Sequence, residues 1–152
     1  MDALTAHPAS PIPDYPVGRG SRIIVIDDDD CVGQAIQSIL ARHGHEVLLA
    51  PRASAGIQAF ESATFDAALI DLFMPGMNGL DTIAHIRRGS SIPIIAMSGF
   101  RLRNSLNSTD YFSMAMERGA SAVIRKPFSG HELLELIDRS LALATSKKEF
   151  VQ

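Results

Sequence analysis

From Ser21 onward the chain alternates five short apolar runs with segments of helical period, and this alternation limits the fold more than any other feature. The runs are RIIVI (22–26), EVLLA (46–50), AALID (67–71), PIIAMS (93–98) and AVIRK (122–126). Between them apolar residues recur at helical spacing, as at Val32, Ile36, Ile39 and Leu40, and breaks such as HGH at 43–45 separate the elements. Further helices are expected around Ala55 to Phe60 and over 80–88, 111–119 and 130–144. Short apolar strands separated by helices point to a parallel sheet covered on both faces, because parallel neighbours need crossover connections. The expected fold is a doubly wound α/β domain with a five-stranded parallel sheet.

A chain of 152 residues suits one domain with a sizeable core. Residues 1–20 hold Pro8, Pro11, Pro13 and Pro16 and no apolar period, so they are expected to be a flexible lead to a domain over 21–144. A net charge of -3 argues against a nucleic-acid or anionic-membrane surface, which would demand a basic face. The apolar runs are strand-sized, and the start of the chain lacks a basic region followed by an apolar one. A single cysteine, Cys31, fits a reducing compartment, and the expected location is the cytoplasm. The five histidines have no spacing that pairs them with the acids discussed next.

Ligands of open α/β sheets bind beyond the carboxyl ends of the strands, so the polar residues there form the candidate site. The first strand runs into Asp27, Asp28, Asp29 and Asp30; the third ends in Asp71, the fourth in Ser98, and the fifth in Lys126 followed by Pro127. An Asp before an apolar-periodic segment often caps a helix, and charge runs are commonly solvated. Capping does not account for all four adjacent acids. Carboxylates this close raise one another's proton affinity unless a cation offsets them. Carboxylate oxygens with few neutral partners suit Mg²⁺, which keeps several waters. An ammonium and a hydroxyl beside that ion would bind an anion, phosphate being the common one. With Asp71 central, the rim reads as a carboxylate nucleophile facing a phosphoryl group.

The motifs VIDDD, LIDLFMPGMNG, IIAMSG and RKPF, in this order, resemble the response regulator receiver domains of two-component signalling, over about Arg22 to Ala144. The resemblance implies a flavodoxin-like (βα)5 fold with strand order 2-1-3-4-5. It implies that Asp71 is the phosphoacceptor and that Mg²⁺ is held by Asp28 directly, by Asp27 largely through water, by Asp71 and by the backbone carbonyl of Phe73. Ser98 and Lys126 would contact the phosphoryl group, and a cis peptide bond commonly precedes the residue matching Pro127. Asp29 and Asp30 are left for the helix start, where the dipole favours negative charge. Such a protein is a phosphorylation switch rather than an enzyme. A sensor histidine kinase or histidine phosphotransfer protein would supply the phosphoryl group, and the output would be a protein target, with no nucleic acid or membrane involved. Residues 145–152 are expected as a C-terminal tail with no effector domain.

Two other readings use the same residues. A magnesium-dependent phosphatase of the haloacid dehalogenase type would use Asp27 and Asp29 as its first acidic pair, the segment IIAMSG and Lys126, but needs a further acidic pair after the lysine. There the acids are Glu132, Glu135, Asp138 and Glu149, the first three on an amphipathic helix, and Asp71 is left without a role. A receiver used only for phosphate-independent docking would be expected to lack the acceptor, the metal acids or the lysine, and all are present.

Three expectations concern lifetime and output. Phe73 and Phe100, each two residues beyond a site residue, match positions that in the family flank the path of the hydrolytic water, so their rings are expected to exclude it. Val123 stands where the family usually has a Tyr or Phe that turns inward, and valine has no ring to swap. The stretch FRLRNSLNSTD (100–110), roughly six residues longer than the family's usual connection, is expected to transmit the signal. It carries Arg101 and Arg103 for a phosphoryl or acidic contact, with Tyr111 and Phe112 following.

Overall fold

The computed structural model describes residues 20–99 and 108–149, with side chains at 108 and 109 left aside. The Pro-rich lead, Phe100, Arg101 and Arg103 lie outside the described residues. The elements alternate throughout: β1 (Arg22–Ile26), α1 (Asp30–Arg42), β2 (Glu46–Ala50), α2 (Ala53–Ser62), β3 (Ala67–Asp71), α3 (Gly79–Gly89), β4 (Ile94–Ser98), α4 (Ser108–Arg118), β5 (Ala122–Arg125) and α5 (Gly130–Glu149). The first three strands have the bounds expected from the sequence. Helix α4 starts three residues earlier than Tyr111, and residues 145–149, expected as tail, continue α5.

All strand pairs are parallel, in the order β2-β1-β3-β4-β5. The side-chain period of two splits the apolar residues between the faces. Ile24, Ile26, Ala68, Ile70, Ile94 and Ala96 pack beneath α2, α3 and α4, where Ala53, Ile83, Ile86 and Ala115 meet them. Ile23, Val25, Leu69, Ile95 and Met97 face α1 and α5 through Ile36, Leu40, Leu133 and Ile137. β3 is buried along its whole length, whereas the edge strands β2 and β5 are partly exposed. Each fully buried isoleucine contributes about 1.5–3 kcal/mol relative to exposure, so the central strands hold most of the driving force.

The ends of the helices on the site side are capped by the loops that carry the acids. Asp29 caps α1 by accepting from the backbone N–H groups of Cys31 (3.0 Å) and Val32 (3.2 Å). Asn78 caps α3 by accepting from Asp81 N–H (2.9 Å). Gly79 opens α3 against the end of β3, where its N–H donates to the Leu72 carbonyl (3.1 Å). A Cβ there would collide with the Asp71 carbonyl oxygen and Leu72 Cα, so only glycine lets α3 start this close.

At the opposite edge, the Arg87 guanidinium ties together the ends of α3 and α4 and the start of β4. It donates to the carbonyls of Gly119 (2.6 Å and 2.9 Å), Ser90 (3.0 Å) and Ile92 (2.8 Å). These are helix-end and loop carbonyls with no other repeating partner, and charge-assisted bonds satisfy them. Replacing Arg87 with Met is expected to lower stability by about 2–3 kcal/mol, read as a lower urea midpoint at unchanged slope. Arg87→Lys should recover only part, because a point charge cannot reproduce the fork; an unchanged midpoint in Arg87→Met would refute the clamp.

Candidate functional site

Because every strand is parallel, all the carboxyl ends open on one edge, and the register fixes which residues meet there. Asp71 pairs in register with Met97 on β4, and Ser98 pairs with Arg125 on β5. The chain stays bonded just past the strands: Leu72 N–H donates to the Met97 carbonyl (2.9 Å), and Lys126 N–H to the Ser98 carbonyl (2.7 Å). Asp27, Asp28, Asp71, Ser98 and Lys126 therefore stand on four neighbouring strand ends, as the sequence leads one to expect. The peptide bond from Lys126 to Pro127 is cis.

Asp27, Asp28 and Asp71 each offer a carboxylate oxygen within 4.8 Å of the others. Asp27 and Asp71 are buried, each 5% exposed, while Asp28 faces solvent. The Lys126 ammonium lies 2.6 Å from Asp27 Oδ2 and 3.6 Å from Asp71 Oδ1. Backbone N–H groups supply the rest: Asp29 donates to Asp27 Oδ1 (2.9 Å), and Phe73 to Asp71 Oδ1 (3.4 Å). These acids and Lys126 line a cavity of about 580 Å³ with Phe73, and Val32, Ile36, Ile39 and Phe128 form its apolar wall.

Burial pushes the Asp71 carboxyl up from 3.8 to about 6, with Asp27 and Asp28 adding to the rise and Lys126 and the Phe73 N–H opposing it. The sequence argument from like charge concerned the adjacent acids 27–30; at Asp71 burial is the larger cause. One ammonium facing three carboxylates leaves an excess of negative charge, and the donors are all oxygen, so the cluster fits a hard divalent cation. Ser98 Oγ is buried and has no hydrogen-bond partner among the described residues. Leaving a hydroxyl unpaired costs about 1–3 kcal/mol, which is recovered if an acceptor arrives.

Three contacts at the site were not anticipated from the sequence. The Asp27–Asp29 backbone bond is Asx-turn chemistry, and the two-residue spacing of the aspartates could have signalled it. The Phe73 N–H reaches Asp71 in the same way. The edge-to-face contact of Phe73 with Tyr111, at 4.7 Å between ring centroids, joins residues too far apart in sequence for any local pattern. The acids after Lys126 do not join the cluster. Glu135 pairs with Arg139 (3.2 Å) along α5, and Asp138 acts on His45 at the other edge of the sheet.

Residues 23–138 match the family model for the response regulator receiver domain. The chain belongs to that family. Among similar proteins, this receiver is 32% identical over 117 residues to the transcriptional regulatory protein CseB of Streptomyces avermitilis, covering 77% of this chain and 47% of CseB. It is 30% identical over 132 residues to the sensory/regulatory protein RpfC of Xanthomonas campestris, covering 84% of this chain and 17% of RpfC. The chain thus spans about half the length of CseB and much less of RpfC. A CheY-like receiver domain protein from Methanospirillum hungatei superposes with a TM-score of 0.76 at 27% identity, covering 84% of this chain and 98% of that one. The BeF3-activated N-terminal receiver domain of Klebsiella pneumoniae RstA gives 0.71 at 27% identity, covering 79% and 97%. The family match sets the receiver reading above the phosphatase arrangement.

The raised Asp71 pKa has a stability consequence in metal-free buffer. Between pH 4 and 6 the folded receiver binds more protons at Asp71 than the unfolded chain, so this group's contribution to stability falls as pH rises through that window. At pH 8 in chelator, Asp71→Asn should be more stable than the parent by about 1–3 kcal/mol, and at pH 4 the two should be nearly equal. A divalent cation should narrow the gap at pH 8 by stabilising the parent alone. Equal melting temperatures at pH 8 in chelator would contradict the assignment.

Proposed function

We propose that this receiver is a phosphorylation-activated switch in which Asp71 accepts the phosphoryl group. A single observation carries the reading: Ser98 Oγ, buried and without a hydrogen-bond partner among the described residues, stands one residue beyond the β4 partner of Asp71, whose carboxylate also faces the Lys126 ammonium. The domain proposed for this role spans 21–144, extended by the rest of α5. Asp27, Asp28 and Asp71, with the backbone carbonyl of Phe73, are the residues that would hold Mg²⁺. When bound, Mg²⁺ supplies charge neutralisation for the acids and the incoming phosphoryl oxygens.

The reaction needs positioning more than covalent chemistry from the protein. An Asp71 carboxylate oxygen forms the bond to phosphorus while the bond from phosphorus to the imidazole nitrogen of the donor breaks, and that nitrogen leaves with the electron pair. Asp71 must be ionised to attack, and the opposing influences of Lys126 and the Phe73 N–H favour that form. The ammonium has three N–H donors, so Lys126 can hold Asp27 and still meet a phosphoryl oxygen. The Ser98 hydroxyl donates to another. Its movement toward that oxygen couples the chemistry to β4 and the connection that follows, a population shift rather than turnover on a foreign substrate.

A sensor histidine kinase or histidine phosphotransfer protein is the proposed donor, and a partner protein the proposed reader. The activation of the related RstA receiver by BeF3, a phosphoryl mimic, supports the same response here. We place the switch in the cytoplasm, where such donors act; no helix among the described residues is long and apolar enough to cross a membrane. Val123 is partly buried against the core beneath α2, α3 and α4, consistent with a switch that does not use an aromatic at that position. Of the proposed transmitter stretch 100–110, residues 100–107 lie outside the described residues and 108–110 form the start of α4.

Incubation with acetyl phosphate and Mg²⁺ should add one phosphate by intact mass, lost in Asp71→Asn and after chelation. Equal labelling of Asp71→Asn would overturn the acceptor assignment. Phe73 lines the acceptor cavity and its ring offers water no hydrogen bond, so Phe73→Asn should shorten the lifetime of the phosphorylated protein about three- to tenfold. An unchanged decay at constant Mg²⁺ would remove Phe73 from that role.

A further inference from the structure

We propose that Tyr111 is a positioning residue that sets how long the phosphoryl group survives on Asp71, by holding the Phe73 ring in the wall of the acceptor cavity. The inference rests on Asp71 being the phosphoacceptor. Phe73 faces two ways: its N–H donates to Asp71 Oδ1 and the residue lines the cavity, while its ring is met edge-to-face by Tyr111 at an interplanar angle of 72°. Both rings are only partly buried. Phe73 therefore has room to swing away from the cavity if the ring behind it is removed. Such a pair shifts an equilibrium by roughly two- to tenfold beyond its area burial. The closed position of Phe73 keeps water, and any hydrogen bond that would orient it, away from the acceptor.

Among the described residues, the neighbouring groups leave this task to Tyr111. Val123, on β5 in the same cluster, has one stiff torsion and no ring. Phe112, the next aromatic on α4, lies beneath the Arg125 guanidinium at 5.8 Å and is directed to β5. At its far end α4 is anchored through the Gly119 carbonyl to Arg87 and through Arg118 to Asp81 (3.2 Å). A tilt of α4 about that anchor displaces its first turn most, and Tyr111 sits in that turn. The lifetime of the phosphoryl group is thereby tied to the position of α4 by one ring contact.

The test compares first-order loss of phosphate after labelling with acetyl phosphate and Mg²⁺ and removal of the donor. Tyr111→Phe, which keeps the ring, should decay within twofold of the parent. Tyr111→Leu should decay roughly two- to tenfold faster, and Phe73→Leu at least as fast. The double variant Phe73→Leu/Tyr111→Leu should be no faster than Phe73→Leu, because Tyr111 acts only through that ring. A parental lifetime in Tyr111→Leu, or multiplied effects in the double variant, would overturn the proposal. A parent protein that takes no phosphate would instead overturn the acceptor reading beneath it.

A second readout does not depend on hydrolysis. The chain has no Trp and two Tyr, Tyr15 and Tyr111, so Tyr15→Phe leaves Tyr111 as the sole long-wavelength emitter. Its emission should change when Mg²⁺ and beryllofluoride are added, and Phe73→Leu should abolish the change while Asp71 still accepts phosphate. Emission indifferent to beryllofluoride in the Tyr15→Phe protein would count against the coupling even if Tyr111→Leu folds poorly.

Discussion

The Lys126 ammonium, 2.6 Å from Asp27 and 3.6 Å from Asp71, is the contact on which the site edge of this sheet depends. Two carboxylates that are 95% buried, with a third beside them, would repel strongly in a low-dielectric rim without it. The lysine reaches them only because β5 lies next to β4 and its last bonded residue pairs with Ser98. Strand order, register and charge are thus one arrangement: slipping β5 by a residue would withdraw the ammonium and expose the alternate face of the strand. Burial, opposed only in part by Lys126 and reinforced by Asp27 and Asp28, holds the Asp71 carboxyl at about 6, and the cluster has capacity for a further cation.

Apolar packing supplies the rigidity that makes such a rim possible. β1, β3 and β4 are buried almost from end to end, so their terminal polar residues are held at fixed heights above the core. The two faces differ in their helices. α1 and α5 close one side, and α1 also forms the apolar wall of the cavity. On the other side α3 is drawn against Asp71 by Gly79, while α4 is anchored at its far end by Arg87. The face bearing α4 consequently combines a fixed end with one that approaches the loop after Asp71 through the Tyr111–Phe73 contact.

Much of this was legible in the chain. Strands such as AALID are apolar from end to end and short, so their bounds were plain, and a parallel sheet forces their polar ends onto one edge. Asp27, Asp28, Asp71, Ser98 and Lys126 were identifiable because they interrupt apolar runs at those ends. What was hidden depends on separations that sequence pattern does not encode. The Phe73–Tyr111 contact spans two elements, and Arg87 bonds to carbonyls, which carry no side-chain signature. The start of α4 and the end of α5 were misjudged because polar residues such as Ser108 and Lys147 are compatible with helix and loop alike. That Ser98 Oγ lacks a partner among the described residues is likewise a property of burial, visible only in three dimensions.

The central claim is that Ser98 and Lys126 are placed to receive a phosphoryl group carried by Asp71. A crystal structure of the protein with Mg²⁺ and beryllofluoride tests it most directly. The account predicts the beryllium bonded to an Asp71 carboxylate oxygen, with Ser98 Oγ and Lys126 Nζ each within hydrogen-bond distance of a fluorine and the metal on Asp27, Asp28 and Asp71. Beryllofluoride bound elsewhere, or bound at Asp71 with Ser98 Oγ still unpartnered, would contradict it.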